Sequence, residues 1–187
     1  PDEVEVKKVQ EIVATRTEKD VKSVRDHDRV PFYDIQKVCD KHGLKFHPQE
    51  FKDIIYQQTP IINHFKKFFN RARPVEVMPS LNTLPSETNK TRAYPSGHAC
   101  QSVIIARYVA GKEPRAEREL MKAAYECGYG RVIAGFHYIS DFDAGNLLGE
   151  KMYVMMNKMD FGQEFQSKEL GEEYGKDNAR GTRIKFK

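Results

Sequence analysis

The stretch AYPSGHACQSVIIARYVA, residues 93–110, decides the fold. It carries no charge before Arg107 and bends twice, at Pro95 and Gly97. From there Ala99, Val103, Ala106 and Ala110 recur on one stripe at helical spacing. Pro95 suits the approach to a helix, and Ser96 is a preferred N-cap type. The stretch therefore predicts a helix opening at Gly97 with a serine, a glycine and a histidine, His98, at its mouth.

The same period recurs on both sides. Upstream, FYDIQKVCDKHGL predicts a helix stopped by Gly43, and QEFKDIIYQQTPIINHFKKFFNRARP predicts a longer one, kinked at Pro60 and stopped by Pro74. Residues 75–94 hold two prolines and many Ser, Thr and Asn, and read as a functional loop. Downstream, a helix opened by Pro114 and another over HYISDFDAGNLLGEKMYVMMNKM complete the pattern. No run of alternating β-branched residues competes, so the fold class is all-α. Residues 1–30, charge-rich with Val6, Val9 and Val13 at near-helical spacing, predict a peripheral helical arm. Residues 31–159 form the main helical domain, and 160–187 an irregular, charged tail.

Composition narrows the function. The 187-residue chain is 39% hydrophobic and 31% charged, with a formal net charge of +4. That mild excess suits anionic ligands but falls short of a nucleic-acid tail. The longest uncharged window, Ala93–Ala106, is too short for a membrane span. Three cysteines, Cys39, Cys100 and Cys127, have no C-x-x-C spacing and read as reduced thiols. With no signal-peptide core at the start, these features predict a soluble, cytoplasmic protein. The first residue is Pro1, so a processed start stays open, and so does export.

Three segments carry candidate chemistry. In KKFFNRARP, Lys66 and Arg73 are seven apart, about 20° short of two helical turns, which predicts two cations on one helical face. They would make an oxyanion clamp; alone, a solvated basic face including Lys67 and Arg71 is the simpler account. In PSGH, the unpaired amides around Ser96 and Gly97 at a helix start suit a phosphate-like anion, with His98 beside it as a proton donor or acceptor. In GRVIAGFHYISDFDAG, His137 and Asp141 are four apart, so the carboxylate can fix the imidazole tautomer. Gly135 would let Arg131 turn back to the same place. No metal-ligand spacing occurs, and His27, His42, His47 and His64 read as scattered surface or packing residues. The set is what a metal-free phosphoryl-transfer site requires.

In order, K-x6-R-P (Lys66–Pro74), P-S-G-H (Pro95–His98) and R-x5-H-x3-D (Arg131–Asp141) resemble the three-part motif of the type 2 phosphatidic-acid phosphatase and vanadium haloperoxidase superfamily. One departure is Gly130, where that superfamily usually has a serine. The resemblance implies a single-domain helical bundle with the site in its core. His137 would attack phosphorus to form a phosphohistidine, oriented by Asp141. His98 would serve as general acid and then base, and Lys66, Arg73, Arg131, Ser96 and Gly97 would hold the phosphate oxygens. A phosphomonoester substrate and no cofactor are expected. A vanadate-dependent haloperoxidase is the alternative, in which vanadate would occupy the same site; such enzymes are generally much larger. A third account is a nucleic-acid-binding module using Phe65, Phe68 and Phe69 among the basic residues, although their helical spacing predicts core positions.

Overall fold

The computed structural model describes residues 2–159. Among them are eight α-helices: α1 Asp2–Ala14, α2 Glu18–Asp28, α3 Tyr33–Lys41, α4 Pro48–Phe69, α5 Pro74–Val77, α6 Gly97–Lys112, α7 Glu117–Ile133 and α8 Ile139–Met159. A 3₁₀ turn, Pro114–Ala116, leads into α7. Among the described residues there is no strand, in agreement with an all-α fold. The irregular tail expected over 160–187 lies outside the described residues.

Helix α6 is the axis of the bundle. Ala99, Cys100, Val103, Ile104, Ile105, Ala106 and Val109 are all completely buried. The expected single apolar stripe is therefore an apolar surface nearly all round, as a central helix needs. Helices α7 and α8 lie against it through glycines. A Cβ at Gly128 would stand 2.9 Å from the Cβ of Ala99. At Gly145 it would stand 2.5 Å from the Ser96 carbonyl oxygen, and at Gly149 2.8 Å from that of Cys100. Glycine at these positions brings the α8 backbone directly onto the start of α6, where PSGH lies.

Local chemistry sets the helix ends. Thr17 and Asp20 form a capping box at α2. His47 caps α4, with Pro48 at its first position and Glu50 returning a bond to the His47 amide. Helix α4 runs through Pro60 and ends at Asn70, which adopts a left-handed conformation with φ 45°. Asparagine tolerates that conformation better than most residues.

Two expectations need correction. The N-terminal segment is helical but not peripheral: Val6, Val9 and Val13 are buried with Leu81, Ala93, Val132 and Tyr138 in one cluster. The segment 75–94, expected to be loop throughout, begins inside α5 and continues as a strap held by backbone hydrogen bonds. Leu84 N–H donates to the Ala134 carbonyl at 3.0 Å, and Ala93 N–H to that of Arg71 at 3.0 Å. The strap draws α1, α5 and the end of α7 together over one end of the bundle.

Candidate active site

The PSGH turn and the start of α8 meet at that end. Ser96 is wholly buried, and its N–H donates to the Asp141 carbonyl at 2.9 Å. Its hydroxyl accepts from Ala99 N–H at 3.5 Å. Among the described residues this leaves the Gly97 and His98 amides as the free donors at the start of α6. A Cβ on Gly97 would meet only Ile62, at 3.7 Å.

His137 precedes α8 and Asp141 lies in its first turn, so the pair is not stacked along a helix as the spacing predicts. The contact forms all the same, because Asp141 caps the start of α8. Asp141 Oδ2 accepts from Tyr138 N–H at 3.0 Å and lies 3.1 Å from His137 Nδ1. On the far side of the ring, Arg73 Nη1 lies 3.0 Å from Nε2 and also donates to the Phe136 carbonyl at 2.8 Å. Arginine can only donate, so Nε2 is the accepting nitrogen and the proton sits on Nδ1, facing Asp141.

Lys66 and Arg73 do not share a helical face. Asn70 ends α4 before Arg73 is reached, and Pro74 opens α5 with Arg73 as its N-cap instead of stopping α4. Both side chains are nevertheless buried at the site. Lys66 Nζ donates to the Arg92 carbonyl at 2.6 Å, and Arg73 Nε to that of Thr91 at 2.7 Å. Arg131 lies in the last turn of α7, and the chain beyond it reverses at Gly135, whose φ is 82°. Arg131 Nη2 contacts Asp28 at 2.9 Å and Thr88 at 3.0 Å. Its Nε and Nη1 are buried without a hydrogen-bond partner among the described residues. His98 Nε2 lies 2.9 Å from the Asp28 carbonyl and 3.2 Å from that of His27, so this nitrogen is a donor and Nδ1 is the free one.

The electrostatics reflect several basic groups buried close together. Burial and the charge of Arg73 push the Lys66 ammonium down to about 7, against a partial pull upward from Asp141. Burial pushes Arg73 down to about 10. His98 is pushed down to about 3 by burial and Arg131, opposed by the carbonyls it meets. His137 is held well below its ordinary range by burial, then by Arg73, Lys66, Arg131 and His98. Arg131 depresses all four of these groups, and Arg73 depresses Lys66 and His137. Like charges are packed together at a cost that a bound anion would relieve.

Some residues of this cluster escaped the sequence. Arg71, expected on a solvated face, is an inward-facing hub that bonds Asp141 Oδ1 at 2.6 Å. Asp28 holds Arg131, Ser86 and Thr88 together. The phenylalanines expected in the core point outward: Phe68 is 75% exposed and Phe69 50%. Three of the four cations of KKFFNRARP, Lys66, Arg71 and Arg73, are turned inward, while Lys67 is exposed.

The all-helical bundle thus gathers two histidines, His98 and His137, and three buried cations, Lys66, Arg73 and Arg131, near the start of α6. The PAP2 superfamily model matches residues 55–163, and the chain belongs to that superfamily. The chain is 36% identical over 87 residues to the non-specific acid phosphatase of Salmonella typhi, and 35% identical over 60 residues to that of Providencia stuartii. These matches cover 45% and 32% of this chain and 35% and 24% of the relatives, so the chain matches about a third or less of their length. In fold it is similar to the transmembrane PAP2-type phosphatidylglycerolphosphate phosphatase of Bacillus subtilis, with a TM-score of 0.58 at 15% identity. That likeness covers 95% of this chain and 87% of the other. No helix among the described residues here is long and apolar enough to cross a membrane.

Proposed function

We propose that the protein is a phosphatase that hydrolyses a phosphomonoester through a phosphohistidine on His137. The observation that carries this is the pair of contacts on that ring. Asp141 accepts from Nδ1–H and Arg73 meets Nε2, so an unprotonated nitrogen faces the cation cluster. Arg73 would transfer its bond to the incoming phosphate, joined by Lys66, the two unpartnered N–H groups of Arg131 and the Gly97 and His98 amides.

Nε2 then attacks phosphorus in line, and the P–O bond to the leaving group breaks. His98 donates its Nδ1 proton to the leaving oxygen, its Nε2–H remaining on the carbonyls of residues 27 and 28. A dianion beside Arg131 opposes the burial and the Arg131 charge that together depress His98, which lets the ring carry that second proton. Water then attacks the phosphohistidine, His98 takes a proton back, and the N–P bond breaks to release phosphate. The cations supply the charge neutralisation that a metal supplies in other phosphoryl-transfer sites, so no metal and no cofactor is assigned. Relatives named as non-specific acid phosphatases support the substrate class. The free, buried Cys39, Cys100 and Cys127 suit a soluble protein kept in a reducing compartment.

The test is phosphate release from p-nitrophenyl phosphate between pH 4 and 8 in EDTA, for wild type and His137→Ala. Turnover that vanishes in the variant is expected. Turnover that survives in His137→Ala, or that needs added magnesium, would overturn the assignment.

A further inference from the structure

Arg71 lies behind the His137–Asp141 pair, on the side away from the anion site, and each of its N–H groups is used. Nη1 donates to Asp141 Oδ1 and Ser140 Oγ, both at 2.6 Å. Nε and Nη2 donate to Asp2 Oδ1 at 3.0 and 2.8 Å, and Nη2 to Glu5 Oε2 at 2.7 Å. Its guanidinium carbon sits 3.9 Å over the Tyr138 ring. Glu5 reaches further, accepting Ser140 N–H at 2.7 Å and Ser140 O–H at 2.8 Å. Two carboxylates from α1 thus fix one guanidinium, which in turn grips the wholly buried carboxylate beside His137.

We infer that Arg71 is a positioning residue that keeps Asp141 ionised and aimed at His137 Nδ1, and that Asp2 and Glu5 make α1 part of this machinery. The inference rests on the phosphohistidine assignment for its catalytic meaning, though not for its geometry. A carboxylate buried at this depth without a bonded cation would take up a proton. A protonated Asp141 would donate to Nδ1 instead of accepting, and the imidazole proton would move to Nε2, leaving no nucleophile. Four titratable or charged groups face Asp141. His137 shares its Oδ2, Lys66 and Arg73 act through space while bonded elsewhere, and Arg71 is bonded to Oδ1. Asp2 and Glu5 face Arg71 from α1. Burial raises the Asp141 carboxyl, opposed by the Tyr138 N–H, Arg71 and Lys66. Without Arg71 it would rise further, so activity would be lost from the acid side first.

The experiment compares wild type, Arg71→Met, Arg71→Lys and Glu5→Gln in two ways. One is the pH profile of p-nitrophenyl phosphate turnover; the other is the ¹⁵N signature of the His137 ring at pH 7. In Arg71→Met, kcat is expected to fall about 100-fold at pH 5, the upper end for groups that orient a functional histidine from behind. It recovers toward pH 8 while KM stays within a few fold. Arg71→Lys restores most of the loss, and Glu5→Gln moves the acid limb the same way by less. The wild-type ring should carry its proton on Nδ1, and the Arg71→Met ring should shift toward Nε2–H. A uniform drop in kcat with an unmoved acid limb and an unchanged ring would overturn the inference, since a merely structural residue would behave that way. If Arg71→Met fails to fold, Glu5→Gln decides by the same two readouts. If wild type releases no phosphate, the ring signature still decides the inference, and only the phosphatase assignment falls.

Discussion

The groups that would touch a bound phosphate all come from residues 66–137: Lys66, Arg73, Gly97, His98, Arg131 and His137. The first two helices contribute none of them. They contribute the anions behind: Asp2 and Glu5 on Arg71, and Asp28 on Arg131. The two regions thus divide a charge problem. One gathers cations where water is excluded, and the other supplies carboxylates that fix two of them and leave Lys66 and Arg73 without a bonded carboxylate among the described residues. Burial then pushes this uncompensated pair down, to about 7 and about 10. A site built this way is ready for an anion because its counter-charge is incomplete.

The largest expected effect breaks the first region through α8, the helix packed on the start of α6. Gly145→Ala would place a methyl 2.5 Å from the Ser96 carbonyl oxygen and 2.9 Å from the Ala99 Cβ. Backbone cannot yield there as a flexible side chain could, so α8 must move off α6. The Ser96–Asp141 bond would go with it. A loss of about 3 kcal/mol is expected, at the upper end of ordinary overpacking, and urea unfolding measures it. A variant within about 0.5 kcal/mol of wild type, the scale of a neutral surface change, would show that the contact has slack.

Next in size is a cut between the regions. Asp28→Asn keeps the shape but leaves Arg131 without its carboxylate, at an expected cost of about 2 kcal/mol, below the range for fully buried pairs. Burial raises the Asp28 carboxyl, but Ser86, Arg131 and Thr88 outweigh it, so its pKa is lowered on folding. Its contribution is therefore present above the unfolded value and lost as pH falls through the folded one. Chemical denaturation at pH 7 and pH 3 should show the gap between wild type and the Asp28→Asn variant narrowing in acid. A gap independent of pH would mean that the carboxylate's charge is irrelevant.

These two changes also mark what the sequence could and could not disclose. The motif residues were visible because chemistry confines them to short spacings: four residues from His137 to Asp141, and a serine, glycine and histidine in a row. The bundle was visible in its apolar period. The partners Asp28 and Arg131, or Glu5 and Arg71, are separated by more than sixty residues, and nothing local distinguishes such an Asp or Glu from a solvated one. The same blindness assigned Arg71 to a basic surface and Phe68 to the core. On α4 the periodicity is real, but the buried face is the one bearing Phe51, Ile54, Gln58, Ile62 and Lys66. The lysine marks the inward face and the phenylalanine the outward one, reversing the hydrophobic rule because the site needs a buried cation.

A smaller effect sharpens the contrast between compensated and uncompensated cations. Lys66, lowered to about 7, should regain its proton when an anion binds. Its help to binding is then complete below about 7 and fades as pH rises toward the bound-state value, by at most about tenfold per pH unit. Sulfate does not titrate in this range, so calorimetry with sulfate between pH 6 and 8.5, in two buffers, reads the affinity and the proton uptake separately. Lys66→Met should bind more weakly and lose the slope. A slope that persists in Lys66→Met would move the titration to another group.

The smallest effect falls where the chain departs from its superfamily. Gly130 lies inside α7, and a Cβ there would meet Val24 of α2 at an ordinary 3.8 Å. Gly130→Ser therefore fits without a clash and should stabilise the helix by about 0.5 kcal/mol, the difference in propensity between the two residues. Thermal unfolding would read this as a rise of about 1–2 °C for a chain of this size. The direction of the new side chain makes the variant informative. Val24 packs with Ala134 and Phe136, so the N-terminal helices present an apolar wall where the superfamily usually has a hydroxyl. If that wall directs the serine toward α2, turnover should stay within about twofold of wild type, well under 1 kcal/mol of barrier. A rise beyond about tenfold would mean that the hydroxyl reaches the phosphate past Val24. The first region would then hold a donor position that the second merely leaves vacant, and the division of labour between them would be less strict than the placement of Asp2, Glu5 and Asp28 implies.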